Sequence, residues 1–121
     1  MGKNDLTGRW GEGLAADYLR RRGYRLLACN YRCRFGEIDI IAEKRGCVVF
    51  CEVKTRQDDR FAQAMEFVDS HKQRRLRATA EFWLAQQERD WPVRFDVIEI
   101  YAPEGSDTRR PKIQQIKDAF V

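Results

Sequence analysis

Asp39, Glu52 and Lys54 are the residues of this chain whose types and spacing point to a reaction. They sit in two strand-like runs, Gly36-Glu37-Ile38-Asp39-Ile40-Ile41 and Phe50-Cys51-Glu52-Val53-Lys54. A covered strand carries apolar side chains, so ionisable groups there stand out. Two carboxylates and a lysine on one strand face suit metal-dependent hydrolysis of a phosphodiester. The carboxylates hold a hard divalent cation, and the lysine faces the attacking water or the phosphate.

Strand side chains alternate faces with period two. Glu37, Asp39 and Ile41 then share one face, and Ile38, Ile40 and Ala42 the other. In the second run Phe50, Glu52 and Lys54 lie opposite Val49, Cys51 and Val53. Between the runs, Glu43-Lys44-Arg45-Gly46 is a natural turn. A two-residue loop at Arg45-Gly46 pairs Lys44 with Cys47, Ile41 with Phe50, Asp39 with Glu52 and Glu37 with Lys54. The other face, Ile40 with Cys51 and Ile38 with Val53, is then wholly apolar. A three-residue loop would set Ile38 against Glu52 and mix the faces. A one-residue slip moves every side chain to the other face, so the apolar pattern selects the first register.

Directly opposed strand residues have Cβ atoms roughly 5 Å apart, and like charges there repel. Asp39 and Glu52 therefore call for a proton or a cation between them. Mg²⁺ accepts carboxylate oxygens together with water. Lys54, two residues beyond Glu52, would orient the water or neutralise the phosphate. The plainer alternative is a charged sheet edge on which Glu37 and Lys54 form an ordinary ion pair.

Further short motifs accompany this set: Gly11-Glu12-x-x-Ala15, Gly23-Tyr24, Asn30-Tyr31-Arg32, Phe50-x-Glu52-Val53-Lys54-x-Arg56 and Arg94-Phe95-Asp96-Val97. With Gly36-Glu37-Ile38-Asp39 they resemble the PD-(D/E)xK nuclease superfamily, which has the restriction-endonuclease-like fold. More narrowly, they resemble the YraN-like family of bacterial proteins, which is similar to archaeal Holliday-junction resolvases. The resemblance runs from about Thr7 to Val121. It implies metal-site roles for Asp39 and Glu52 and a catalytic role for Lys54. Glu12 matches the first-helix glutamate of the resolvases. A homodimer is the corresponding expectation for assembly. The proline usually written before the first aspartate is absent, and Glu37-Ile38 stands there instead.

Charge distribution fits a nucleic-acid partner. The formal net charge is +4, but the basic residues are clustered. Arg20 to Arg22 form one cluster; Lys72, Arg74, Arg75 and Arg77 a second; Arg109, Arg110, Lys112 and Lys117 a third. Such clusters neutralise phosphates and release counterions, although any one of them can also be a solvated helix face. Lys72, Arg74, Arg75 and Arg77, with Arg56 beside the carboxylate site, are the expected phosphate contacts. No apolar run approaches the ~20 residues that span a bilayer. The N-terminal residues have no apolar core of a signal peptide, so a cytoplasmic location is the default expectation.

The four cysteines, Cys29, Cys33, Cys47 and Cys51, invite a zinc reading. Cys47 and Cys51 fall on one strand, roughly 13 Å apart, too far to share one tetrahedral ion. Small buried hydrophobes are the better role, above all for Cys51 on the apolar face.

The elements that must position the site read as one α/β unit. Thr7 as N-cap and Gly23 past the end bracket a helix over about Gly8 to Arg22, with Trp10, Leu14, Ala15 and Tyr18 apolar. Glu12 projects from its flank, where a first-turn glutamate also suits the helix dipole. Strands follow over Tyr24 to Asn30, Cys33 to Glu43 and Cys47 to Arg56. Gln57 to Val68, with Asp58 and Asp59, reads as a loop that could cover the site. Ser70-x-x-Gln73 has the capping-box pattern, opening a helix to about Arg89 with Leu76, Ala80, Trp83 and Leu84 inward. A strand over Arg94 to Tyr101 puts Phe95 and Val97 on one face and Ile98 and Ile100 on the other. Ile113, Ile116 and Phe120 suggest a short closing helix. His71 is the single histidine and forms no metal cluster alone.

With 121 residues, 43% hydrophobic and 35% charged, the chain reads as a single α/β domain over residues 1–121. A mixed central sheet flanked by helices, restriction-endonuclease-like, is the expected architecture. The expected function is a metal-dependent endonuclease on DNA, of branched or other structured form. Asp39, Glu52 and the Val53 carbonyl would bind Mg²⁺ or Mn²⁺, and Lys54 and Glu12 would complete the catalytic group. The alternatives are a nucleic-acid-binding module with a degenerate site, and a protein-interaction domain that has lost both activities.

Overall fold

The Arg45-Gly46 turn forms as its residues require. Both take positive φ, 54° and 83°, the type I′ combination whose twist matches the strands it joins. It sets Lys44 against Cys47, Ile41 against Phe50 and Ile40 against Cys51, the register selected by the apolar pattern. In the computed structural model, which describes residues 5–57, 69–88 and 90–120, this hairpin is the middle of a five-stranded sheet. The chain order is α1 (Asp5–Arg21), β1 (Arg25–Cys33), β2 (Gly36–Lys44), β3 (Cys47–Arg56), α2 (Ser70–Ala85), β4 (Val93–Tyr101) and β5 (Lys112–Ile116). The spatial order is β1-β2-β3-β4-β5. All neighbours are antiparallel except β3 and β4, which are parallel. Parallel strands need a long crossover, and α2 lies within it.

The helices cover opposite faces. Ala15, Ala16 and Leu19 of α1 pack on Ile40, Val49, Cys51, Val53, Ile98 and Ile100. On the other face Leu76, Ala80 and Trp83 of α2 pack on Ile41, Val48, Phe50, Phe95 and Val97, with Phe120 alongside. Phe50 stacks on Phe95 at 5.4 Å and Phe95 on Phe120 at 5.1 Å. Covered on both faces, β3 is buried from Val48 to Val53, which is why its sequence is nearly continuous apolar. The faces assigned to β4 hold: Phe95 and Val97 lie under α2, Ile98 and Ile100 under α1. This is a single small α/β domain compatible with the restriction-endonuclease-like fold.

α1 ends as its sequence directs. Gly23 takes φ +91°, its N–H reaches the Arg20 carbonyl at 3.0 Å, and the Tyr24 N–H reaches that of Leu19 at 3.0 Å. This is the Schellman arrangement. Near the other end, Gly11 lets α1 lie directly on β3: a methyl there would overlap the Thr55 hydroxyl. The first turns of α1 are thereby held at the C-terminal end of β3.

Several expectations need correcting. Thr7 lies inside α1, which begins at Asp5. The cap of α2 is Asp69, whose carboxylate accepts the Lys72 N–H at 2.9 Å. Ser70 is therefore the first helical residue. The aspartate also complements the helix dipole, which serine does not. α2 ends at Ala85. The closing helix is instead β5, antiparallel to β4. In a strand, positions three apart point to opposite faces. Ile113 accordingly joins the α1-side core and Ile116 the α2-side core. The spacing that reads as one helical face serves two faces of an edge strand. Most of the Gln57 to Val68 segment, including Asp58 and Asp59, lies outside the described residues.

Candidate active site

The hairpin ladder stops at Ile40 and Cys51. Beyond that pair, β2 follows β1, with Ile38 against Tyr31 and Glu37 against Arg32. β3 follows β4, with Glu52 against Val97 and Lys54 against Glu99. The two strands therefore fork, and the expected pairs Asp39–Glu52, Ile38–Val53 and Glu37–Lys54 do not form in the ladder. Asp39 stands in the fork. Its Oδ2 accepts the Val53 N–H at 2.8 Å, taking the place of a backbone acceptor. Past this point the side-chain alternation of β2 shifts. Ile38 packs on the α2 face while Ile40 packs on the α1 face, so Ile38 does not share the face of Ile40 as its spacing suggested. Glu37 is half-exposed and pairs with Arg32 at 3.5 Å, not with Lys54.

Asp39 is 5% exposed and Glu52 7%. Burial, then the Asp39 charge, push the Glu52 carboxyl up to about 7, against the pull of Lys72 and Lys54. A side-chain cation lies against Glu52. The Lys72 ammonium lies 3.2 Å from Glu52 Oε1. Partial burial works against that ammonium, but Glu52, Lys54 and Asp39 together outweigh it and the Lys72 pKa is raised.

The donor set suits a hard divalent ion. Among the described residues no group of three or more His, Cys, Asp or Glu side chains converges. The oxygens in the fork are those of Asp39 and Glu52. The Val53 N–H points at Asp39, and in an extended strand the carbonyl of the same residue projects to the same side. Two carboxylates and a carbonyl are enough for Mg²⁺, which keeps several of its own waters. A buried, mutually repelling pair of acids lowers its energy when such an ion binds. All four cysteines are free, and Cys51 is fully buried in the α1-side core.

The other candidates divide. Glu12 is half-buried on α1, next to Gly11, which lies against Thr55. Arg74 and Arg75 are exposed on α2. Arg77 lies over the Phe95 and Phe120 rings at 5.4 and 5.5 Å, a packing position. Arg56 is half-buried at the end of β3, opposite Tyr101. Lys72, expected among the phosphate contacts, pairs with Glu52. Glu99 was missed. It is 1% exposed and lies beside Lys54 across the β3–β4 pairing. Its signal was a carboxylate inside the otherwise apolar run Val97-Ile98-Glu99-Ile100.

Asp39 thus has a structural bond as well as a charge, and substitutions separate the two. Asp39→Asn keeps an oxygen for the Val53 N–H and removes the repulsion with Glu52. Its metal-free stability should lie within about 1 kcal/mol of wild type. Asp39→Ala strands a buried N–H and should lose about 1–3 kcal/mol. Denaturant melts in chelator measure both; equal losses would show that the hydrogen bond contributes nothing.

Known proteins match this chain over most of its length. The model of a family described as "Uncharacterised protein family UPF0102" matches residues 11–100. A UPF0102 protein of Syntrophus aciditrophicus (strain SB) is 44% identical over 122 residues, covering 99% of this chain and 92% of that protein. One of Caldicellulosiruptor bescii is 44% identical over 116 residues, covering 94% and 96%. One of Mycolicibacterium vanbaalenii is 48% identical over 111 residues, covering 91% and 89%.

Proposed function

The chain belongs to the uncharacterised protein family UPF0102, the YraN family, and from that footing we propose that it is a divalent-metal-dependent endonuclease acting on DNA. The observation that carries the reading is the fork between β2 and β3. It places two buried carboxylates together, one of them pushed up to about 7, with a lysine two residues on. Asp39, Glu52 and the Val53 carbonyl would hold Mg²⁺ or Mn²⁺. When bound, such an ion supplies positive charge at the phosphoryl oxygens and lowers the pKa of water.

The chain's own residues supply the rest. The Val53 N–H fixes one Asp39 oxygen, so the carboxylate cannot rotate out of the fork. Lys54 extends from the same strand face as Glu52. Its ammonium donates hydrogen bonds to the attacking water or to a non-bridging phosphate oxygen, where negative charge grows. The water attacks phosphorus in line with the leaving oxygen as the bond to that oxygen breaks; the water loses a proton to solvent, and the leaving oxygen takes one from solvent. Lys72 balances Glu52 before an ion arrives. Glu12 supports the site from α1. Branched DNA is the proposed substrate form, and a homodimer would present two forks to it. Among the described residues no helix is long and apolar enough to cross a membrane.

Calorimetry tests the metal assignment. Mn²⁺ should bind one site at least as tightly as Mg²⁺, and Glu52→Gln should lose it. No heat with either ion, with or without DNA, would remove the catalytic reading.

The Lys72–Glu52 ion pair favours one second reading. A lysine that already balances the carboxylate could make the fork inert, leaving a nucleic-acid-binding module. Both readings need phosphate contacts, and Arg74 and Arg75 are the exposed pair on α2. Replacing both with alanine should weaken DNA binding alike for all sequences and reduce the salt slope by about two. Affinity measured against salt concentration checks this. An unchanged slope would leave these arginines as solvated surface. Only the nuclease reading also demands metal-dependent cleavage.

A further inference from the structure

The motif residues Gly23-Tyr24 and Arg94-x-Asp96 are not absorbed by the fork. They meet elsewhere. Across the sheet, on the α1 side and toward the start of β3, lies a pocket of about 290 Å³ lined by Tyr24, Lys44, Arg45, Val49, Arg94 and Lys117. The start of β3 at Cys47 is five residues, roughly 17 Å, from Glu52 along the strand.

The pocket is cationic and partly rigid. Asp96 is fully buried. Its two oxygens take the Nε and Nη2 of Arg94, both at 2.9 Å. The same Nη2 reaches the Tyr24 hydroxyl at 2.9 Å. Gln115 Nε2 and the Asp118 N–H complete the Asp96 shell at 2.8 and 3.1 Å. Arg94 Nη1 takes part in none of these bonds. The guanidinium is thus held in a fixed orientation with one donor group to spare.

Lys44 lies over the Tyr24 ring at 5.1 Å. Arg45 and Lys117 are exposed at the rim. The acids nearby are turned to other work. Asp96 is neutralised by Arg94, and Glu43 takes Arg25 at 2.8 Å and the Gly46 N–H at 3.1 Å. Lys44, Arg45 and Lys117 therefore line a small concavity beside a guanidinium whose charge Asp96 balances. A fixed guanidinium flanked by lysines suits a phosphate, whose several oxygens accept hydrogen bonds from all of them.

We propose that this pocket is a second, metal-independent site for a phosphate group, separate from the Asp39–Glu52 fork. The group would come from a nucleic-acid strand or from a free nucleotide.

Amide NMR of the full chain in chelator tests this without recourse to cleavage. The probes are inorganic phosphate, a deoxynucleoside monophosphate and a short DNA duplex, each against sodium chloride at equal ionic strength. Phosphate should shift the Gly46, Cys47 and Lys117 signals saturably, and chloride should not. A duplex that moves the same signals and is displaced by phosphate identifies nucleic acid as the source; a response to the mononucleotide without the duplex identifies a free nucleotide. The double variant Lys44→Met, Lys117→Met leaves the Arg94–Asp96 pair intact and should bind at least tenfold more weakly. Glu52→Gln should bind as wild type does, which separates this site from the fork. The proposal is overturned if no probe shifts these signals, or if the shifts survive unchanged in the double variant.

Discussion

Lys54→Ala is expected to lower metal-dependent DNA cleavage at least about a hundredfold, the scale on which a preorganised group aimed at developing charge acts. DNA affinity should change by less than about threefold, because one phosphate contact among many carries little of it. The expectation follows from place. Lys54 is on the face of Glu52, two residues further along β3, and Glu99 lies beside it on β4. The hairpin ladder and the Asp39–Val53 bond do not use the Lys54 side chain. The variant should therefore fold and still bind metal. Single-turnover cleavage and a binding isotherm on the same DNA measure the two quantities. A parallel loss of both would make Lys54 a binding residue rather than a catalytic one.

Glu52→Gln is expected to flatten the pH dependence of stability in chelator. The Glu52 carboxyl is raised from 4.5 to about 7 in the folded protein. Between those values the folded state keeps a proton that the unfolded chain has released. Stability therefore falls as pH rises through this window and is level above it. The full effect is on the order of 3–4 kcal/mol, at about 1.4 kcal/mol for each pH unit. Glutamine holds no charge at any pH, so the variant should match wild type near pH 4.5 and exceed it near pH 8. Lys72 keeps the Asp39 charge nearby in the variant. Adding Mn²⁺ at pH 8 should reverse the order, stabilising wild type alone. Denaturant melts at several pH values check this. Parallel curves for the two proteins would mean that Glu52 is not held in a proton-retaining environment.

The parts of the site set by local rules were legible in the sequence. Arg45-Gly46 fixes the turn, alternation fixes the faces of β3 and β4, and together they bring Asp39, Glu52 and Lys54 to one region. The fork was not legible. Ladder pairing continues in any extrapolation from the turn, and only the structure shows Asp39 replacing a backbone acceptor for Val53. The sequence groups Lys72 with the expected phosphate contacts, and its pairing with Glu52 is not legible there, because that partner lies 20 residues away on a packed neighbour. The sequence suggests a helix where β5 forms because Ile113 and Ile116 satisfy helical spacing as well as two sheet faces. The Arg94–Asp96–Tyr24 network joins residues 70 apart, a relation that no window along the chain contains.

The central claim is that the β2–β3 fork is a metal-dependent nuclease site. Its most direct test is cleavage of duplex, nicked, flapped and four-way-junction DNA by the purified protein in Mg²⁺, in Mn²⁺ and in chelator, with Glu52→Gln beside wild type. The account predicts that wild type cuts at least one of these DNAs with metal and none in chelator, and that Glu52→Gln cuts none. DNA that is bound but never cut in either metal, or cutting that persists in Glu52→Gln, would contradict it.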